Sequence, residues 1–100
     1  MRLKLKKIGS ELEFFKTFFP SNPELARNFL EWVKKSKPHV ATWKIFAKHQ
    51  GVSKSAYFYV KKRAIELGMV KKVNDRLEIS RDFATIMRSY AEIYESFLEK

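Results

Sequence analysis

The chain of 100 residues contains no cysteine, three glycines, three prolines and a single glutamine. Without cysteine there are no disulfides, thiolate zinc sites, iron–sulfur clusters or cysteine nucleophiles, and the composition suits a reducing interior. Nowhere do about 18 apolar residues run together, as a membrane span requires. The basic stretch Met1–Ile8 is followed by Glu11, Glu13 and Lys16 rather than by the apolar core of a secretory signal. A cytoplasmic protein with no membrane association is therefore expected. Gly9, Gly51 and Gly68 are too scattered to cradle a phosphate, and each suits a turn or a helix end. His39 and His49 stand ten residues apart, too far for one helical metal face, and no His–carboxylate spacing typical of zinc enzymes accompanies them. With neither paired acids nor an activated nucleophile, the chain reads as non-enzymatic, with no cofactor, no metal and no small-molecule ligand evident.

Acidic residues are scarce where basic ones are dense. The formal net charge is +10, from 21 Lys and Arg against 11 Asp and Glu. Residues 34–76 hold twelve basic side chains against Glu66 and Asp75, a net +10, while residues 1–33 carry +2 and residues 77–100 carry −2. An ordinary soluble surface mixes both signs, so a one-signed segment of this length points to a polyanion, either nucleic acid or an anionic membrane. Hydrophobic residues still make up 45% of the chain and 15 residues are aromatic, which describes one small folded domain and not a disordered basic tail. So many aromatic residues also suggest that another copy of the chain covers some of them.

Local signals divide the chain. Residues 2–8 alternate in part, as a short strand or a frayed arm would. Ser10 and Glu13 have capping-box spacing before an apolar face of Leu12, Phe14, Phe15, Phe18 and Phe19, which predicts a helix from Glu11 to Phe19 ended by Pro20. Asn22-Pro23-Glu24 predicts a second helix to about Lys35, with Leu25, Phe29, Trp32 and Val33 on its inner side. Thr42 is read as the cap of a third helix burying Ile45, Phe46 and Trp43. Gly51 then makes a sharp turn, and Ser53 caps a fourth helix to about Leu67. Two short helices joined by a three-residue turn make a helix-turn-helix. After Gly68, Met69–Val73 and Arg76–Ile79 are strand-like runs separated by Asn74-Asp75, a two-residue hairpin turn. Ser80 is read as the cap of a final helix with Asp82 in its first turn.

The order helix, tight turn, helix, hairpin from Thr42 to Ile79 resembles the winged helix-turn-helix DNA-binding domains. The stretch from Ile45 to Val60 is similar to the repressor-type pattern of that family: Ala47 stands at its small residue, Gly51 at its turn glycine, and Val52 and Val60 at its buried positions. Glu66-Leu-Gly-Met-Val70 resembles the family's exit into the first wing strand. Gln50 and Tyr57 depart from the pattern, since both places are usually aliphatic. Small archaeal and viral regulators with a C-terminal dimer helix come nearest. The resemblance implies a mainly α fold with a small β-hairpin, an N-terminal helix and a long C-terminal dimerisation helix, in one domain. Its parts are residues 1–21 as arm and short helix, 22–79 as winged-helix core and 80–100 as dimerisation helix.

At 100° per residue, Ala56, Tyr57, Val60, Ala64 and Leu67 share the inner side of the fourth helix, and Ser55, Phe58, Tyr59 and Lys62 share the outer side. The outer set is expected to face a major groove, with Ser53, Lys54 and Ser55 meeting phosphates or base edges and Phe58 touching a thymine methyl. Packing of Phe58 and Tyr59 against the first helix is the alternative. Thr42 and Lys44 join the candidate contacts. On the wing, the resemblance brings Lys71, Lys72, Asn74 and Arg76 to the DNA backbone or minor groove, Arg76 foremost. Phe83, Ile86, Met87, Tyr90, Ile93, Tyr94, Phe97 and Leu98 form a stripe longer than a small domain's own core needs, and predict a symmetric homodimer; residues 11–19 either join this interface or pack in the core. The leading expectation is a dimeric, sequence-specific duplex-DNA-binding transcriptional regulator. A winged-helix protein-interaction module and a membrane-surface protein anchored by the Phe-rich first helix are the alternatives.

Overall fold

The computed structural model describes residues 5–100, which form a mainly helical chain with one small two-stranded antiparallel hairpin. Helices α1 (Glu11–Phe18) and α2 (Pro23–Ser36) lead through a 3₁₀ turn (Val40–Thr42) into α3 (Trp43–Gln50) and α4 (Lys54–Glu66). Strands β1 (Val70–Val73) and β2 (Arg76–Ile79) follow, and α5 (Asp82–Leu98) ends the order. Of the N-terminal arm, residues 2–4 lie outside the described residues, and residues 5–8 are exposed and without regular structure.

Two of the five helix starts, those of α1 and α4, have the chemistry the sequence suggests, and the other three are corrected. Ser10 Oγ accepts from the Glu13 N–H at 3.2 Å, while Glu13 reaches back to the N–H of Gly9, one residue before the usual reciprocal partner. Asn22 makes no side-chain cap, and α2 opens instead on its backbone carbonyl, which accepts from the Ala26 N–H at 3.0 Å. Thr42 does not cap α3, because its hydroxyl donates backward to the His39 carbonyl at 2.7 Å. The side chain that caps this region is His39, whose Nδ1 accepts from the Ala41 N–H at 3.0 Å. Ser80 accepts from the Asp82 N–H at 3.2 Å, but Arg81 occupies the cap position, so α5 begins one residue later than expected.

The core lies around α2. Its Phe29 meets Phe46 of α3 and Tyr57 of α4 edge-on, with ring centroids 6.1 and 5.6 Å apart, and Trp32 stacks on Phe46 at 4.4 Å. Phe15, Phe18 and Phe19 close one side, and Val60, Ala64, Val70 and Leu77 join them. The first helix is therefore part of the core, which decides between the two places open to residues 11–19. The same burial uses up the phenylalanines that a membrane anchor would need. Ile45, expected inside, is 73% exposed, whereas its neighbour Phe46 is buried. Gln50, at a usually aliphatic place, accepts from Asn28 Nδ2 at 2.9 Å and ties the end of α3 to α2.

Between α3 and α4, Gly51 adopts φ +67° and Val52 N–H donates to the Ala47 carbonyl at 3.0 Å, so the chain reverses within three residues. Ser53 Oγ then accepts from the Ala56 N–H at 3.1 Å and starts α4. The hairpin turns on Asn74 (φ 50°) and Asp75 (φ 64°), with Val73 paired to Arg76, the geometry of a two-residue primed turn. The Leu77 N–H donates to the Pro38 carbonyl at 2.9 Å and the Val40 N–H to the Asp75 carbonyl at 2.8 Å, on either side of an isolated antiparallel bridge between His39 and Arg76. These bonds lay the hairpin against the lead-in to α3.

Candidate nucleic-acid interface

Four short-range contacts join the cationic side chains of α3 and α4 into one band, and Lys72 of β1 lies near its end. The ammonium groups of Lys44 and Lys54 lie 5.8 and 5.9 Å from the Trp43 ring, one on the first turn of α3 and the other on the first turn of α4. Trp43 meets Phe58 edge-on at 4.9 Å, and Lys61 stands 5.4 Å from the Phe58 ring. Such contacts hold a cation in place by the ring quadrupole while leaving its outer side to solvent. Lys61 also feels Lys72 of β1 across the gap, and its pKa is held below the ordinary lysine value first by burial and then by that like charge. An ammonium so placed gains when an anion approaches, because the anion offsets both the lost hydration and the repulsion.

Along α4 the exposed line runs Lys54, Phe58, Lys61, Ile65, with Ser55, Tyr59 and Lys62 beside it. Ser55, Tyr59 and Lys62 are exposed as expected, while Phe58 is half-buried against Trp43 and Tyr57 and not against α1. Ser53 is engaged as the cap, and the Thr42 hydroxyl is engaged with His39. Lys44, Lys54, Lys71, Lys72 and Asn74 are exposed. Lys72 has Asp75 at 3.7 Å, and Glu66 sits at the far end of the α4 line beside Ile65. Lysines interleaved with aromatic rings and small hydroxyls, with so few carboxylates, can bind phosphates and stack or touch apolar edges.

Arg76 is placed differently from the other residues of the hairpin. Its guanidinium donates to the Lys37 carbonyl at 3.0 Å, and it lines an open groove of about 550 Å³ with Trp32, Pro38, Ile45, His39 and His49, on the side of α3 away from Phe58. The two histidines are thus neighbours of one groove, and among the described residues no cluster of three metal-ligating side chains occurs. Arg63, counted within the basic excess, donates from Nε to the Phe18 carbonyl and links α4 to the end of α1. Lys35 is paired with Glu31 at 2.9 Å on α2. The +10 segment is therefore not one surface: Lys35, Arg63 and Arg76 are engaged within the fold, Lys34, Lys37 and Lys48 stand outside the band, and the band holds the others.

Two band members escaped the sequence reading. Trp43 was expected in the core, and Lys61 was left out of the outer set because it falls between the two sides of the helix. Lys61, one turn after the buried Tyr57, is half-buried at the edge of the inner side, and the lysines beside Trp43, Lys44 next to it in sequence and Lys54 across the turn, are the available signal. On α5, Phe83 packs on Phe14 and Phe18 with centroids 5.8 and 5.1 Å apart, so it fastens the helix to the body and stands apart from the exposed stripe. Met87 is half-buried, while Ile86, Tyr90, Ile93, Tyr94, Phe97 and Leu98 are exposed. Among the described residues no helix is long and apolar enough to cross a membrane. Compared with protein-family models, with curated proteins and with solved structures, the chain matches none.

Proposed function

We propose that this chain is a winged helix-turn-helix protein that binds duplex DNA through the band on α3, α4 and β1, and that it works as a homodimeric transcriptional regulator. The observation that carries the reading is the run of contacts Lys44, Trp43, Lys54, Phe58 and Lys61, in which cations of α3 and α4 meet on one side, with Lys72 of β1 near enough to lower the Lys61 pKa and Ser55, Tyr59 and Lys62 next to them. Lysines position a phosphate backbone, and the outer side of a helix supplies the contacts to base edges. The three-residue reversal at Gly51, and the hairpin paired with residues 38–40, support the winged-helix comparison. Lys71, Lys72 and Asn74 lie on the wing in this reading, while Arg76 braces the wing from below, an alternative to entering the minor groove.

The test compares two pairs of lysines by fluorescence anisotropy on labelled duplex. Replacing Lys54 and Lys61 by Ala is expected to weaken binding at least tenfold, about 1.4 kcal/mol. Replacing Lys34 and Lys35, of which the first lies on α2 beside Glu11 of α1 and the second is paired with Glu31, is expected to change it by less than threefold. Equal losses from the two pairs would mean that only overall charge matters and would remove the proposed interface.

A further inference from the structure

None of the 17 residues of α5 is buried, and Ile86, Tyr90, Ile93, Tyr94, Phe97 and Leu98 follow one another along one side, 42–70% exposed. At 100° per residue, Arg81, Arg88, Glu92, Glu95 and Glu99 all fall on the opposite side. Three of the six, Tyr90, Tyr94 and Phe97, are aromatic, and at about 150–250 Å² for each aromatic side chain they alone match the roughly 300–600 Å² of the largest apolar patch on a typical monomer; with Ile86, Ile93 and Leu98 beside them the six exceed it. They approach the ~800 Å² per partner of a standard interface.

We propose that a second copy of this chain covers this side in antiparallel orientation, with Ile86 opposite the partner's Phe97 and Tyr90 opposite the partner's Ile93. This rests on the dimer in the proposed function and is independent of DNA binding. Ile86, Tyr90, Ile93 and Phe97 are spaced four, three and four residues apart, so the pattern reads the same in both directions. Antiparallel pairing then gives four layers, each of one isoleucine and one aromatic ring. Parallel pairing would give Ile–Ile, Tyr–Tyr, Ile–Ile and Phe–Phe, alternately thin and thick, and two straight helices at one separation cannot fill both without voids or strain.

Charge selects the same orientation. Each body, with its +10 segment, is attached at the N-terminal end of α5 through Phe83. Parallel helices would set two basic bodies side by side. Antiparallel helices keep them at opposite ends of a pair about 25 Å long, and return the acidic half of each helix, Glu92, Glu95 and Glu99, to the basic body of the other protomer. The helix dipoles are opposed as well.

Because the chain lacks cysteine, single-cysteine variants report the arrangement without background. Neither Ile86 nor Phe97 is buried, so Ile86→Cys and Phe97→Cys leave the body intact. A disulfide needs Cα atoms within about 7 Å. In the antiparallel pair two copies of residue 86 are about 16 Å apart along the axis, at 1.5 Å per residue. Mild oxidation of each variant alone is expected to give almost no covalent dimer, and oxidation of the two mixed is expected to give a strong one. Covalent dimer from each variant alone overturns the antiparallel orientation and leaves the dimer standing. Sedimentation of the unaltered chain as a monomer at micromolar concentration, whether or not it binds anionic vesicles, overturns both.

Discussion

Tyr57 is the side chain whose chemistry fits its surroundings least. It is 1% exposed between Phe29, Trp43, Phe46 and Phe58, and its hydroxyl has no hydrogen-bond partner. A buried unsatisfied hydroxyl costs about 1–3 kcal/mol. Tyr57→Phe is therefore expected to raise stability by about 1 kcal/mol, which for a domain of this size raises Tm by roughly 4–8 °C. Burial also pushes the Tyr57 pKa up to about 12. The folded chain then holds a proton that the unfolded chain releases near pH 10, so this contribution is full below pH 10 and is lost as pH rises towards 12. Spectrophotometric titration should find one late tyrosine among the four, absent in Tyr57→Phe. A second pair of neighbours tests the core boundary: Phe46→Ala should cost about 3–5 kcal/mol, and Ile45→Ala should cost no more than about 0.5 kcal/mol, by denaturant titration. Both residues are apolar and adjacent, and helical periodicity alone allowed either side of α3 to face inward. The stacking of Phe46 on Trp32 decides it, and that contact joins residues far apart in sequence.

At the scale of elements, the two glycines with positive φ do different work. Gly51, at φ +67°, has open space where a Cβ would go, so Gly51→Ala carries only the backbone strain, roughly 1–2 kcal/mol. At Gly68, φ is +79° and an added Cβ would sit 3.1 Å from the backbone nitrogen of Phe83. Gly68→Ala therefore adds a clash at the point where α5 joins the body, and a larger loss is expected, with loosening of α5 visible as faster amide exchange in its first turn. Equal losses from the two would mean that α5 is not anchored there. Helix order, the three-residue reversal and the hairpin were legible in the sequence because each depends on local chemistry: a serine cap, a left-handed glycine, Asn-Asp at a primed turn. The start of α3 was not, because His39 caps the preceding turn and Thr42 points backward. The attachment of α1 to the core was also hidden, since a phenylalanine stripe looks the same whether it meets Phe83 or another chain.

For the whole molecule, 52 × 28 × 23 Å in extent, charge and apolar surface are separated along the chain and in space. The basic excess was legible as a segment, but not its division into an outward cationic band and internal braces such as Arg63 and Arg76, because a sequence does not say which cations are already occupied. The band on α3, α4 and β1 is the central element of the account, and two copies of it on a dimer would meet six or so phosphates. The most direct test is the affinity for a duplex measured across salt concentrations, at fixed pH, by fluorescence anisotropy. Neutralising about six phosphates should make log affinity fall with log salt at a slope near −5. A slope near zero, or no binding to duplex at low salt, would contradict the account.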